Sequence, residues 1–332
     1  MKLSVVLPTW NGARFLRPQL DSILAQSDPD FELLAIDDGS TDETVAILDA
    51  YAQADRRIRR LPAQGNRGQN RRLIELIDAA RGEFVAIADQ DDVWGPDRNA
   101  RLLAAIGDRA LALGRSQLID GDGADLGRSV LEAKGVDAAR VGPLTALFVP
   151  LVSAHAAVIR RSWLDSGSFY GALPFDQALG LEALFSTGLI YVGDALVQHR
   201  IHGGNQMNGD VGAAGGRTRA LSLFRARGSL GIVPAGRVQL YQTFAQLGRS
   251  GALTTDRRKL FRELADLCWG GWFALGASPG AMRRALHDRL SGDAATPADL
   301  VFFSHRIGSL SRSRWTPGNL ALAWRAYRTS VG

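Results

Sequence analysis

Cysteine is nearly absent: Cys268 is the single one in 332 residues. That excludes an intramolecular disulfide framework and a multi-cysteine zinc site. Long apolar runs are also missing. Residues 144–159 and 264–277 are the longest candidates, and both fall short of the roughly 20 residues of a membrane helix, with His155 interrupting the first. The opening MKLSVVLPTWNG runs from a short apolar stretch into a turn instead of a small-residue cleavage region, so a soluble, cytoplasmic chain is expected. No G-x-x-x-x-G-K-[ST] pattern occurs and no G-x-G-x-x-G follows the first apolar run, which disfavours a P-loop kinase and a nicotinamide dehydrogenase. Internal repeats and low-complexity tracts are absent too.

What remains is enough apolar material for a sizeable core, 46% hydrophobic against 22% charged, so disorder is excluded. The net charge of +5 invites a polyanionic partner, but it is unevenly spread. Residues 211–332 carry 18 basic against 6 acidic side chains, net +12, which leaves net −7 for residues 1–210. The basicity and the clustered carboxylates therefore belong to different parts of the chain.

Over the first 100 residues short apolar runs alternate with helical patterns. Strands are expected at Leu3 to Pro8, Phe31 to Asp37, Ile58 to Leu61 and Glu83 to Ala88. Helices follow each, the second with Ser40 and Glu43 at capping-box spacing and the fourth with Pro96 as its first residue. This βαβαβαβα order implies a parallel sheet with right-handed crossovers, whose ligands bind beyond the carboxyl ends of the strands. Thr9-Trp10-Asn11, Asp37 to Ser40 and Asp89 to Asp92 lie at three such ends. Further on, strands are expected at 117–120, 144–149, 154–159 and 189–192, and a helix at 175–187. Residues 203–216 read as a Gly- and Asn-rich boundary, and Leu260, Phe261, Leu264, Leu267, Cys268, Trp272 and Leu275 as a helical face.

Asp89-Gln90-Asp91-Asp92 is the most informative cluster. Three carboxylates within four residues repel one another unless a cation sits among them, and Mg²⁺ or Mn²⁺ prefers such oxygen ligands. A solvated acidic loop is the plainer alternative, weakened by the position at a strand end. Asp37-Asp38-Gly39-Ser40 reads equally well as a turn with a helix cap or as a site for a nucleotide base or ribose. His155, His199 and His202, taken alone, are more often structural than ligands.

The set Val6-Leu7-Pro8-Thr9-Trp10-Asn11-Gly12, Asp37 to Asp42, Asn66-Arg67-Gly68, Gly82-Glu83-Phe84 and Asp89 to Trp94 resembles the family-2 glycosyltransferases of GT-A fold over about residues 1–100. More loosely, Phe175-Asp176-Gln177 and Ala195 to Asn205 resemble the bacterial rhamnosyltransferase-like members. The resemblance implies an α/β fold, a Rossmann-like, mostly parallel sheet flanked by helices. Residues 1–210 would form the transferase domain, with a nucleotide-sugar half to about 115 and an acceptor half from 116, and 211–332 a basic helical segment. It implies that Pro8, Thr9, Asn11, Asp37, Asp38, Arg67 and Asn70 hold the nucleotide, that Asp89 and Asp91 face the nucleotide sugar, and that Asp91, Asp92 and His202 hold a divalent metal, Mg²⁺ or Mn²⁺. Asp92 would be the firmer ligand and Asp176 the general base, with Asp165 and Glu182 as rival carboxylates. Trp10 stands where the family usually has Tyr, and Gln177, Ala178 and His199 where it has aromatics.

One base and one displacement imply inversion at the anomeric carbon of a dTDP-rhamnose or UDP-hexose donor, with a glycan, lipid-linked or secondary-metabolite acceptor. A nucleotidyltransferase acting on sugar phosphates would share a nucleotide crevice but want a Gly/Lys/Arg-rich signature after the first strand. A catalytically degenerate glycan- or nucleotide-binding module is the non-enzyme reading. The basic tail, with Arg217 to Arg227 and Arg312 to Arg328 interleaved with apolar and aromatic residues, reads as a solvated helical face, as a peripheral contact with anionic lipid at the inner membrane face, or as helices buried in a homodimer. No nucleic-acid partner is expected.

Overall fold

The computed structural model describes residues 1–63, 65–137, 142–164, 175–203, 232–268 and 279–293, with backbone alone at 232–239 and 279–283. Trp272, Leu275, Asp165 and the two arginine-rich stretches of the tail lie outside the described residues. The chain forms two compact units, residues 1–130 with 152–165 and 187–208, and residues 131–151 with 166–186 and 209–332.

The first unit is built on one sheet. Strands β1 (Leu3–Thr9), β2 (Phe31–Asp37), β3 (Ile58–Arg60) and β4 (Phe84–Ile87) are all parallel, in the order β3-β2-β1-β4. Every residue of β1, β2 and β4 is buried, as expected for parallel strands covered on both faces, which read as continuous apolar runs. Pro8 lies within β1, yet it costs no ladder bond toward β4, because that pairing ends at Val6 and Ile87. The crossovers carry α1 (Ala13–Leu24), α2 (Thr44–Ala54) and α3 (Gln69–Ala79). Glu43, not Ser40, occupies the N-cap of α2 without a cap bond from its own side chain, and Asp42 Oδ1 accepts the Thr44 amide at 3.0 Å; the Ser40 hydroxyl donates instead to Asp37 Oδ1 at 2.5 Å.

Beyond β4 the sheet becomes mixed. The short β5 (Val93–Trp94) leads to α4 (Arg98–Ala105), which starts two residues after Pro96, then to β6 (Leu111–Ile119), β7 (Asp125–Ser129), β8 (Ala157–Arg160) and β9 (Leu189–Arg200). β8 runs antiparallel between β4 and β6, β9 runs parallel to β6, and β5 pairs antiparallel with β9. β1 has β2 on one side and β4 on the other, so the strand order reverses there. Such a reversal opens a crevice beyond the strand ends.

The second unit is helical where it is described. Residues 144–149 do not form the expected strand: Pro143 opens a short helix, Pro143–Ala146, as its fixed φ favours. Leu144, Leu147, Ala178, Leu181, Phe244, Phe261, Leu264 and Cys268 share one core, to which burial of each Leu or Phe contributes roughly 1.5–3 kcal/mol. Cys268 is fully buried there, and that burial pushes its thiol well above the ordinary range. Among the described residues no helix is long and apolar enough to cross a membrane.

Candidate active site

The ends of β1, β2 and β4 are tied together. The Asp38 amide donates to the Thr9 carbonyl at 2.8 Å, the Asn11 amide to Ser40 Oγ at 2.8 Å, and the Trp10 amide to Gln90 Oε1 at 2.9 Å. Asn11 holds a φ of 46°, a conformation that Asn tolerates better than most residues. Its Oδ1 accepts from the Thr41 amide at 2.8 Å. Gly12 follows because a Cβ there would come within 2.2 Å of Gln90 Oε1.

Asp37 and Asp38 are buried and occupied with the protein itself. Asp37 Oδ1 accepts from Thr9 and Ser40 hydroxyls, and Oδ2 from the Gly39 and Ser40 amides. Asp38 accepts from the amides of Arg67 and Gly68 and from Nε of Arg72, a buried arginine. Burial alone pushes the Asp38 carboxyl up, but the Arg67 amide, the Arg72 guanidinium and the Gly68 amide outweigh it and hold it below its usual range. Both acids thus shape the loops that follow β1 and β3. Arg67 turns its guanidinium to Glu75 at 2.9 Å, and Asn70, on the first turn of α3, is exposed, as are Asn11 and Trp10.

The cluster after β4 is arranged differently. Asp92 is fully buried; its Oδ1 meets His199 Nδ1 at 2.9 Å and accepts the Arg200 amide at 3.1 Å, while Oδ2 has no hydrogen-bond partner among the described residues. Asp91 Oδ2 meets His202 Nε2 at 2.8 Å, and Asp89 Oδ2 lies 3.5 Å from His155 Nδ1. Ser116 Oγ bonds the other nitrogen of His155 at 2.8 Å, and the His155 and His199 rings stack with centroids 4.4 Å apart. Donor atoms of Asp89, Asp92, His155 and His199 all lie within 4.8 Å of one another.

The electrostatics follow from this crowding. Burial would raise the Asp92 carboxyl, but the charges of His199 and His155 and the bonds from His199 and the Arg200 amide hold it down. Asp91 is pushed up, first by burial and then by the charge of Asp92, with His202 opposing. Burial disfavours the imidazolium of His199, yet Asp92, Asp89 and Asp91 raise it to about 9. Arg98, from α4, is wholly buried; burial pulls its guanidinium down to about 9 against the charge of Asp92, so it stays a cation at neutral pH. It stacks 3.7 Å over the Trp94 ring and donates to the carbonyls of His155 and Ala157.

Residues 4–167 match the family model described as Glycosyl transferase family 2. They form a family 2 glycosyltransferase domain. An uncharacterized glycosyltransferase of Nostoc sp. (strain PCC 7120) is 38% identical over 104 residues, 31% of this chain and 32% of the relative. The succinoglycan biosynthesis protein ExoO of Rhizobium meliloti is 33% identical over 145 residues, 43% and 40% of the two chains. This chain thus spans about a third of the length of the Nostoc relative and two fifths of ExoO. The structure of S. aureus TarS residues 1–349 in complex with UDP-GlcNAc matches with a TM-score of 0.57 at 18% identity, covering 99% of this chain and 92% of that one. The α/β sheet with its helices is accordingly of the GT-A type.

Family 2 domains of this fold imply a divalent cation, and the donor chemistry fits one. Carboxylate oxygen is the ligand type that Mn²⁺ and Mg²⁺ take, imidazole is a common metal ligand besides, and Asp92 Oδ2 is a buried oxygen with no hydrogen-bond partner among the described residues. The expected trio of Asp91, Asp92 and His202 is split between two groupings: Asp91 and His202 form a pair of their own, 14% and 19% exposed, while the fully buried Asp92 joins Asp89, His155 and His199. Taken alone, His155 and His199 read as ordinary histidines and Arg98 as an ion partner of a solvated acidic loop, and nothing in the sequence singles out Arg72 or Ser116. Arg200 carried a signal, its place in the 198–205 resemblance. Asp176 lies on the first turn of the helix Phe175–Phe185, half-buried, and its rival Glu182 is fully buried; both belong to the second compact unit.

Proposed function

We propose that this chain is an inverting, metal-dependent glycosyltransferase that moves a sugar from a nucleotide-diphospho-sugar to an acceptor hydroxyl. The observation that carries the reading is the Asp91–His202 pair at the edge of an acid and histidine cluster, set beyond the strand-order reversal of a family 2 domain. Asp91, Asp92 and His202 would hold Mg²⁺ or Mn²⁺. A cation held there offsets the charge on the departing diphosphate.

The nucleotide base and ribose would lie against Pro8, Thr9, Asn11, Arg67 and Asn70, on loops shaped by Asp37 and Asp38. Asp89 and Asp91 would face the sugar diphosphate. Asp176 takes the proton of the acceptor hydroxyl as its oxygen attacks the anomeric carbon, and the bond from that carbon to the diphosphate oxygen breaks. A single displacement inverts the anomeric centre. The donor class is a UDP-hexose or dTDP-rhamnose; S. aureus TarS, solved with UDP-GlcNAc, shares the fold and favours trying uridine donors first. In this reading residues 1–210 carry the chemistry, in a donor half to about 115 and an acceptor half beyond it. The basic segment 211–332 meets an anionic, lipid-linked or glycan acceptor.

The test is transfer from UDP-hexoses and dTDP-rhamnose with Mn²⁺ or Mg²⁺, with product configuration read by NMR. Asp176→Ala is expected to slow turnover by about 10²–10⁴-fold, the usual contribution of a general base. Turnover indifferent both to chelation of the metal and to Asp176→Ala would sink the mechanism.

A further inference from the structure

Phe15, on the first turn of α1, is an aromatic without an obvious task in the reaction, yet two site residues and the neighbouring Arg14 converge on it. Its ring centroid lies 4.5 Å from that of His202. The Arg200 guanidinium stands over it at 5.0 Å and the Arg14 guanidinium at 4.8 Å. Arg200 is itself buried and reaches outward from this ring: Nε donates to the Asp91 carbonyl at 3.0 Å, and one terminal nitrogen donates to the carbonyls of Asp120 and Gly121, each at 3.2 Å. Asp91 is therefore gripped twice, at its main chain by Arg200 and at its carboxylate by His202, and both gripping side chains lean on one ring.

We propose that Phe15 and Arg200 form a clamp that fixes the geometry of the Asp91–His202 pair, and that Phe15 is a positioning residue for metal binding by this domain. The physical reason is orientation. An imidazole has freedom about two torsions, and holding it in one ligating pose costs entropy at each binding event unless neighbours have already fixed it. A ring face supplies that restraint to His202 through contact and to Arg200 through the attraction of a cation for an aromatic face. Leu16, the next residue on α1, is fully buried in the sheet core. Leu16→Val disturbs the packing of α1 while leaving the Phe15 ring in place, so it separates loss of packing from loss of the clamp.

The inference rests on the proposed metal-dependent reading, and the experiment separates the two. Mn²⁺ binding is titrated by electron paramagnetic resonance, alone and with UDP present, for the whole chain and for Asp91→Asn, His202→Ala, Phe15→Leu, Phe15→Tyr and Leu16→Val. Phe15→Leu is expected to weaken Mn²⁺ binding about tenfold, as loss of an orienting neighbour of a metal ligand does. Phe15→Tyr, which keeps the ring, and Leu16→Val are expected to bind as the parent does. In turnover, Phe15→Leu should raise the Mn²⁺ concentration for half-activation while leaving kcat at saturating metal close to the parent. If Asp91→Asn and His202→Ala bind Mn²⁺ as the parent does, the metal reading falls and the clamp with it. If those two lose binding and Phe15→Leu does not, or if Leu16→Val loses as much, the clamp alone is overturned.

Discussion

Asp37 and Asp38 close β2 with every carboxylate oxygen accepting from the protein, whereas the cluster after β4 leaves Asp92 Oδ2 in the interior without a donor and sets Asp91 beside it. Both clusters are strings of aspartates at the ends of strands that flank β1. Surroundings make them different. Amides, the Thr9 and Ser40 hydroxyls and Arg72 occupy the first pair and turn it into scaffolding for two loops. The second is held together by histidines and a buried arginine, groups that balance charge and that, as imidazoles, ligate a cation once neutral. Acid clusters at strand ends are thus one sequence signal for two physical roles, and counting donors around each oxygen tells them apart.

The largest effect that would break this distinction concerns catalysis. Asp91→Asn is expected to lower turnover by about 10³-fold, the several kcal/mol that a cation contributes to a leaving diphosphate, with little change in melting temperature. Asp38→Asn should instead act mainly on stability. A loss of turnover in Asp38→Asn equal to that of Asp91→Asn, at unchanged stability, would make the two clusters equivalent.

Next comes stability within the second cluster. Asp92→Ala strands the buried charges of His199 and Arg98, and breaking a buried pair from one side costs about 3–5 kcal/mol. Urea denaturation should show it as a fall in midpoint. An unchanged midpoint would mean that the buried network carries no charge.

The first cluster should reveal itself in acid. The Asp38 carboxyl is lower in the folded protein than in the unfolded chain, so folding favours its ionised form. Its contribution is fully present above the unfolded value of about 3.9 and is lost as pH falls through the folded value. Asp38→Asn should therefore destabilise at neutral pH and converge with the parent as pH drops below about 4. A constant gap across that range would contradict the assignment of Asp38 as an ionised structural acid.

Much of this was legible in the sequence because it depends on local pattern. β2 runs over Phe31–Asp37 as its apolar run indicates, and β1 and β4 differ from expectation by a residue or two at their ends. The sequence reading broke down where register or distance decides. Leu189–Arg200 is one strand, although Gly193, Asp194 and Ala195 are exposed in its middle and read as an interruption; the β6–β9 ladder absorbs them through register shifts near Gly114 and Arg115. At the site, Asp89 to Asp92 announce themselves as a string. Their partners do not, since His155 and His199 arrive from β8's approach and from β9, brought alongside by sheet order and not by spacing. Arg72 and Arg98 sit in polar helical stretches where exposure was the natural reading; only the packed fold shows that a carboxylate pulls the one inward and a ring and two carbonyls receive the other.

Gln90 offers the smallest and most discriminating effect, because it stands in the acid string yet bonds to the opposite loop. Its Oε1 accepts the Trp10 amide at 2.9 Å and its Nε2 donates to the Trp10 carbonyl at 3.0 Å. This reciprocal pair joins the β1 end, which the β2 cluster already organises through Asn11 and Ser40, to the β4 end, where Asp91 pairs with His202. Gln90→Ala removes two partly exposed hydrogen bonds and leaves every carboxylate in place. If the donor spans both ends, binding should weaken by about 1 kcal/mol, roughly fivefold in KM for the nucleotide sugar, with kcat and Mn²⁺ affinity preserved. A fall in kcat at unchanged KM would instead place Gln90 with its acidic neighbours, and the two clusters would then be one.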